Sequence, residues 1–230
     1  MSHGPIVQTP TPEGFRPHVV AHHFHDANQE FHSVKLGFWL FLATEVMLFG
    51  GVFAAYFIFH GQYPETFVKG GEQLSVPMGS LNTVILLTSS WTMAMGVRAC
   101  QLSQKKQMLG FLWVTLLCAG GFLVVKYFEY TAKIEHGLLP GSFWHPHGHY
   151  AEEFANVEWP NLFFSFYWTM TGIHGVHVIL GMLAISWLIW QGGKGRFHSG
   201  FSAPVDLIGL YWHIVDLIWI FLFPLLYLVP

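Results

Sequence analysis

Residues 34–60, VKLGFWLFLATEVMLFGGVFAAYFIFH, form an apolar run with one carboxylic acid, Glu45, in its interior, and this run constrains the fold more than any other segment. As a helix rising about 1.5 Å per residue it is ~40 Å long, enough to cross a hydrocarbon core ~30 Å thick with some tilt. Glu45 then lies about 16 Å from Val34, near mid-bilayer. A charged carboxylate at that depth costs about 3 kcal/mol or more, so the side chain is expected either to hold a proton or to face protein. Two readings stay open: proton handling, or a neutral acid hydrogen-bonded across a helix contact.

The rest of the chain is equally apolar. Of 230 residues 53% are hydrophobic and 10% charged, which excludes an ordinary soluble domain and makes this an integral membrane protein. Hydropathy assigns five transmembrane helices at about 34–60, 80–102, 108–130, 161–190 and 204–229, an all-α membrane bundle. Residues 34–230 form that transmembrane domain. Residues 1–33 are a polar His/Pro-rich tail carrying His3, His18, His22, His23, His25 and His32, without the basic and short apolar regions of a signal peptide, so no cleaved signal is expected. Residues 61–79 read as a Gly/Pro-containing loop, and 131–160 as a long acidic and aromatic one with His136, His145, His147 and His149.

Arg16, Lys35, Arg98, Lys105, Lys106, Lys194 and Arg196, seven of the ten basic residues, fall on the side of the N-terminal tail. The positive-inside rule therefore places the N-terminus in the cytoplasm and the C-terminus outside. Lys194 and Arg196, in the linker before the last span, are candidates for lipid-headgroup contact. Basic residues scattered singly or in pairs exclude a nucleic-acid partner. Cys100 and Cys118 lack any metal-site or disulfide spacing and read as packing residues.

Polar side chains inside spans carry what chemistry there is. Lys126 and Glu129 are three apart and can pair on one helical face. His174 and His177 share a face within TGIHGVHVILG, and His213 and Asp216 share one within YWHIVDLIW. The histidines could ligate haem or metal, or they could be neutral imidazoles bonded across glycine-opened contacts; Asp216 suggests either a proton relay or a packing pair. Gly50, Gly51, Ala54, Ala55, Gly172 and Gly175 are expected to carry close helix contacts. No GxSxG, P-loop, GxGxxG or HExxH element supports hydrolysis or nucleotide binding.

Taken together, GFWLFLATEVMLFGGVFAAYF (37–57), LNTVILLTSSWTM (81–93), FEY (128–130), TGIHGVHVILG (171–181) and YWHIVDLIWIFLF (211–223) resemble subunit III of the haem–copper oxidases, the cytochrome c oxidase type, in its five-helix bacterial form. The resemblance implies a helical subunit beside the catalytic one, holding no haem or copper itself, with oxidase subunits I and II as partners and the haems and copper in those partners. Small accessory subunits or a larger respiratory supercomplex are left open as further partners. It implies a multi-pass protein of the bacterial plasma membrane with bound phospholipid, supporting proton uptake and turnover stability. Glu45, Glu129, His174, His177, His213 and Asp216 fall on the family's intramembrane polar positions. The first two helices of seven-helix members have no counterpart here, and the same form occurs in quinol oxidases.

Overall fold

The structure, a computed structural model, describes residues 11–16, 20 and 24–228, so His3, His18, His22 and His23 of the tail lie outside the described residues. Among these the backbone is helical, with two isolated β-bridges. In order come α1 (Ala27–Gln62), α2 (Pro64–Glu72), α3 (Val76–Gln101), α4 (Lys105–Glu135), α5 (His149–Glu153), α6 (Leu162–Gly193) and α7 (Ala203–Phe223), the last continued by a π-helical turn, Pro224–Leu228. Segments 28–62, 105–135, 162–193 and 203–228 are long and apolar enough to cross a membrane. The fifth long helix, α3, is more polar, but Asn82, Ser89 and Thr92 are buried while Leu81, Val84, Leu87, Trp91 and Met95 form its exposed surface.

Helix ends are set by capping rather than by hydropathy. The Asp26 carboxylate accepts from Gln29 N at 2.6 Å and the Gln29 side chain accepts from His25 N at 2.8 Å, a capping box that starts α1 at Ala27. The tail boundary expected at 33/34 therefore falls inside α1. At the far ends of α4 and α6, Gly137 and Gly195 take φ of +72° and +71°. Leu138 N then donates to Lys133 O (3.0 Å) and Arg196 N to Gln191 O (3.4 Å), closing Schellman motifs that an L side chain would strain. The stretch 61–79, expected to be a loop, contains α2, with Pro64 in its first turn and a Glu65–Lys69 ion pair of 2.9 Å. Its buried Phe67 fits among Tyr56, Phe163 and Phe166, a tertiary reward that local sequence does not display.

The chain divides into two compact units. The first comprises the described residues up to Glu45, Thr88–Leu117 and Leu180–Ile214. In it α3 and α7 run antiparallel: Trp212 Nε1 donates to Ser89 Oγ (2.9 Å), and Ser90 Oγ lies 2.7 Å from His213 Nδ1. Thr92 and Thr115 hydroxyls meet at 2.8 Å between α3 and α4. A Cβ at Gly181 would stand 2.6 Å from the Trp212 ring, and one at Gly209 2.9 Å from Val97, so these glycines admit the close helix contacts. A piece of the tail also lies here, with Arg16 N donating to Gly195 O at 2.9 Å.

The second unit comprises Val46–Leu87, Cys118–Ile179 and the chain from Val215. Helical glycines in close contact here are Gly70 against Phe163 and Gly79 against Phe223, the latter at 2.7 Å from an added Cβ. Gly50, Gly51, Gly172 and Gly175 do not behave as expected: a Cβ on any of them would meet nothing within 4 Å among the described residues. Small-xxx-small spacing says that a close approach is permitted on a face, not that this chain supplies the partner.

Candidate functional site: a buried ion pair ringed by tyrosines

An inward stripe on α4, Ala119, Phe122, Lys126, Glu129 and Lys133, is buried along its length although three of its five members are ionisable. Lys126 Nζ and Glu129 Oε2 are 3.0 Å apart, with side chains 6% and 3% exposed. Burying such a pair is unfavourable unless its remaining hydrogen-bonding capacity is met. It is met here by two phenols. Lys126 also donates to Tyr167 Oη (3.1 Å) on α6 and Tyr227 Oη (3.2 Å) in the π-turn, so all three ammonium donors are used. Both phenols in turn donate to Glu129 Oε1, at 3.0 Å from Tyr167 and 2.5 Å from Tyr227. Each phenol thus bridges ammonium and carboxylate.

Aromatic faces complete the enclosure. The ammonium stands 4.9 Å from the ring centres of Tyr130 and Tyr167 and 5.6 Å from that of Trp219, distances at which a cation is attracted by the ring quadrupole. Tyr130 Oη donates to Thr171 Oγ1 at 2.7 Å, and Trp219 Nε1 donates to Thr83 Oγ1 at 3.1 Å. Beyond the cluster, Lys133 donates to the Gln73 carbonyl, and Gln73 Nε2 donates to Glu153 at 2.7 Å. These bonds tie α4 to the end of α2 and to α5.

The residues singled out from sequence are distributed between the units. His174 shares the Trp219 ring with Lys126, the ion-pair partner of Glu129: the His174 ring lies 5.3 Å from Trp219 and 5.5 Å from Phe122 and is fully buried. Neither His174 nitrogen has a hydrogen-bond partner among the described residues. His177, on the same helix, has Nδ1 2.8 Å from Ile173 O and its ring against Phe49. Asp216 is buried one helical turn before Trp219. Glu45 and His213 belong to the first unit instead. Glu45 is half-buried, within electrostatic reach of Tyr211, and His213 is engaged with Ser90. Lys194 Nζ covers the Trp190 ring at 3.2 Å, and Arg196 is exposed. Among the described residues no three His, Cys, Asp or Glu side chains converge as a metal ion requires.

Tyr167, Tyr227, Tyr130 and Trp219 were not anticipated as site residues. A signal existed for one: Tyr167, Thr171, His174 and Val178 form an i, i+4, i+7, i+11 buried stripe on α6. None existed for Tyr227, which reaches the cluster because Pro224 cannot donate within α7 and the following turn widens.

A sequence model of the family described as cytochrome c oxidase subunit III matches residues 18–150 and 150–229. The chain belongs to the cytochrome c oxidase subunit III family. It is 33% identical to a cytochrome c oxidase subunit 3 of Thermostichus vulcanus over 84% of this chain and 86% of that one. A probable quinol oxidase subunit 3 of Staphylococcus saprophyticus is 28% identical over 89% of this chain and 96% of its own length. A haem–copper oxidase subunit I+III of Aeropyrum pernix is 31% identical over 86% of this chain but only 23% of its own length. As a subunit III chain, this protein takes the acidic member of its ion pair, Glu129, from the FEY segment and packs the first histidine of TGIHGVHVILG against Trp219.

Proposed function

We propose that this chain is the non-catalytic accessory subunit III of a bacterial respiratory terminal oxidase that reduces oxygen to water with proton pumping by its partner subunits. The observation that carries the reading is the family match running from residue 18 to residue 229. Subunits I and II hold the haems and copper, and the relative named as a subunit I+III chain supports contact with subunit I. A quinol oxidase is the second reading, favoured by the quinol oxidase relative. The chain spans the plasma membrane five times with its N-terminus cytoplasmic, α3 crossing because its polar side chains are turned inward. All seven basic residues of the N-terminal side lie in the first unit, in keeping with that orientation. Lys194 and Arg196, near Trp190 at the end of α6, contact phospholipid headgroups.

The reading is tested by tagging the chain in its own host, solubilising membranes in mild detergent and recovering the tag. A haem- and copper-containing chain with oxygen-consuming activity is expected in the recovered complex, and no Soret band in the chain purified alone. Stoichiometric haem in the isolated chain, or recovery without an oxidase, refutes it.

Glu45 serves proton handling beside the partner rather than catalysis. Hydrophobic carbodiimide, which needs a protonated carboxyl, is expected to label it. In Glu45→Gln, which keeps size and hydrogen bonding but removes titration, assembly and electron transfer should persist while turnover lifetime or the proton-to-electron ratio falls modestly. If both stay unchanged in Glu45→Gln while Glu45→Leu destabilises the complex, the residue is a packing group.

A further inference from the structure

The bond from Tyr227 to Glu129 has a chemical consequence that a purely structural ion pair does not need. A phenol is oxidised by one electron readily only if its proton leaves at the same time, because the phenol radical cation is a very strong acid. Tyr227 and Tyr167 are buried, 4% and 0% exposed, so the acceptor must be a protein base. Glu129 Oε1 is that base, 2.5 Å from Tyr227 Oη and 3.0 Å from Tyr167 Oη. Tyr56 supplies the contrast: it is equally buried, but its hydroxyl donates to the Leu225 carbonyl at 2.9 Å, which cannot take a proton.

Oxidisable rings continue outward from this point. Trp219 lies 6.4 Å from Tyr227, centre to centre; Tyr167 shares Glu129 with Tyr227 and lies 6.1 Å from Tyr130; Tyr130 lies 4.4 Å from the half-buried Trp168. We propose that Tyr227, with Glu129 as its proton acceptor, is a reversible one-electron oxidation site that draws oxidising equivalents from neighbouring Tyr and Trp rings.

The oxidant is a one-electron oxidant of the oxygen-derived radical class, which meets the chain of rings at the half-buried Trp168. It is reduced by one electron, and the resulting hole passes to Tyr227. There the Oη–H bond breaks, the proton moves to Glu129 Oε1 to form the carboxylic acid, and a neutral phenoxyl remains. Lys126 Nζ, 3.2 Å from Oη, stays as a donor to the phenoxyl oxygen. An electron returned by a one-electron reductant draws the proton back from Glu129 and restores the phenol. A protective role during oxygen reduction rests on the accessory-subunit reading; the chemistry of the cluster does not.

The test uses the full chain purified alone in detergent, so partner cofactors play no part and the outcome is independent of whether the chain joins an oxidase. Flash-generated ruthenium(III) tris-bipyridine is the oxidant, and electron paramagnetic resonance with ring-deuterated tyrosine reads the radical. A tyrosyl signal is expected whose formation slows in deuterium oxide and does not respond to buffer concentration. It should be lost in Tyr227→Phe, kept in Tyr56→Phe, and lost or replaced by a tryptophan signal in Glu129→Gln. Retention of the signal in Tyr227→Phe overturns the proposal. If the Glu129 variant does not fold, the wild-type protein decides: formation that accelerates with buffer means solvent takes the proton, and the proposal fails.

Discussion

Lys126→Met should destabilise the protein by about 3–5 kcal/mol, the range for removing one partner of a buried pair, because the Glu129 carboxylate would be left charged and uncompensated. Methionine fills much of the lysine stem's space, so the loss is electrostatic rather than a cavity. Tyr167 and Tyr227 would still donate to Glu129, so part of its solvation survives, and both phenols would lose the ammonium as a donor. The double variant Lys126→Met, Glu129→Leu separates charge from shape. Replacing both members by apolar groups is often near neutral, while the two phenols forfeit their acceptor at about 1 kcal/mol each. The double variant should therefore unfold at a higher temperature than Lys126→Met. Thermal unfolding in lipid nanodiscs, followed by circular dichroism, measures both, and a Lys126→Met melting curve matching wild type removes the argument.

Gly181→Leu should cost about 1–3 kcal/mol or more through overpacking, whereas Gly175→Leu should leave the isolated chain within about 0.5 kcal/mol of wild type. At Gly181 the first added carbon stands 2.6 Å from the Trp212 ring and 3.4 Å from Tyr211. Trp212 is fully buried and held through Nε1 by Ser89, so the ring cannot move aside without breaking that bond. At Gly175 there is open space. Sequence spacing points to Gly175 and not to Gly181, although both lie in the same TGIHGVHVILG segment. The same melting experiment compares them, and equal loss in the two variants contradicts the packing described here. A further contrast follows in the complex: if Gly175 faces a partner helix, Gly175→Leu should lower recovery of the oxidase while leaving the isolated chain's melting unchanged.

Much of the architecture was legible before any coordinates. Helical spans follow from desolvation of the backbone, which in lipid allows helices and little else, so hydropathy alone locates the four most apolar segments. The Lys126–Glu129 pair was readable because a spacing of three is local helix geometry and needs no knowledge of the neighbours. Helix termini were less legible, although the Asp26 and Gln29 capping box was present in the sequence and marks the start of α1. Apolar runs report membrane thickness, whereas caps report where the backbone finds its last partners.

What the amino-acid sequence determined by itself is thus the membrane-embedded helical class, the pairing of residues one turn apart, and membership of the subunit III family. Tertiary structure alone decided which side chains meet across helices. It brings Tyr167 and Tyr227 onto both ends of the Lys126–Glu129 pair, from positions 41 and 101 residues away from Lys126. It assigns Glu45 and His213 to the first unit and Glu129, His174 and Asp216 to the second. It selects Gly181 and Gly209, not Gly172 and Gly175, as points of close approach. The physical reason is common to all three: helical periodicity sets which face a residue occupies, but the rotation and register of one helix against another are set by how their side chains pack.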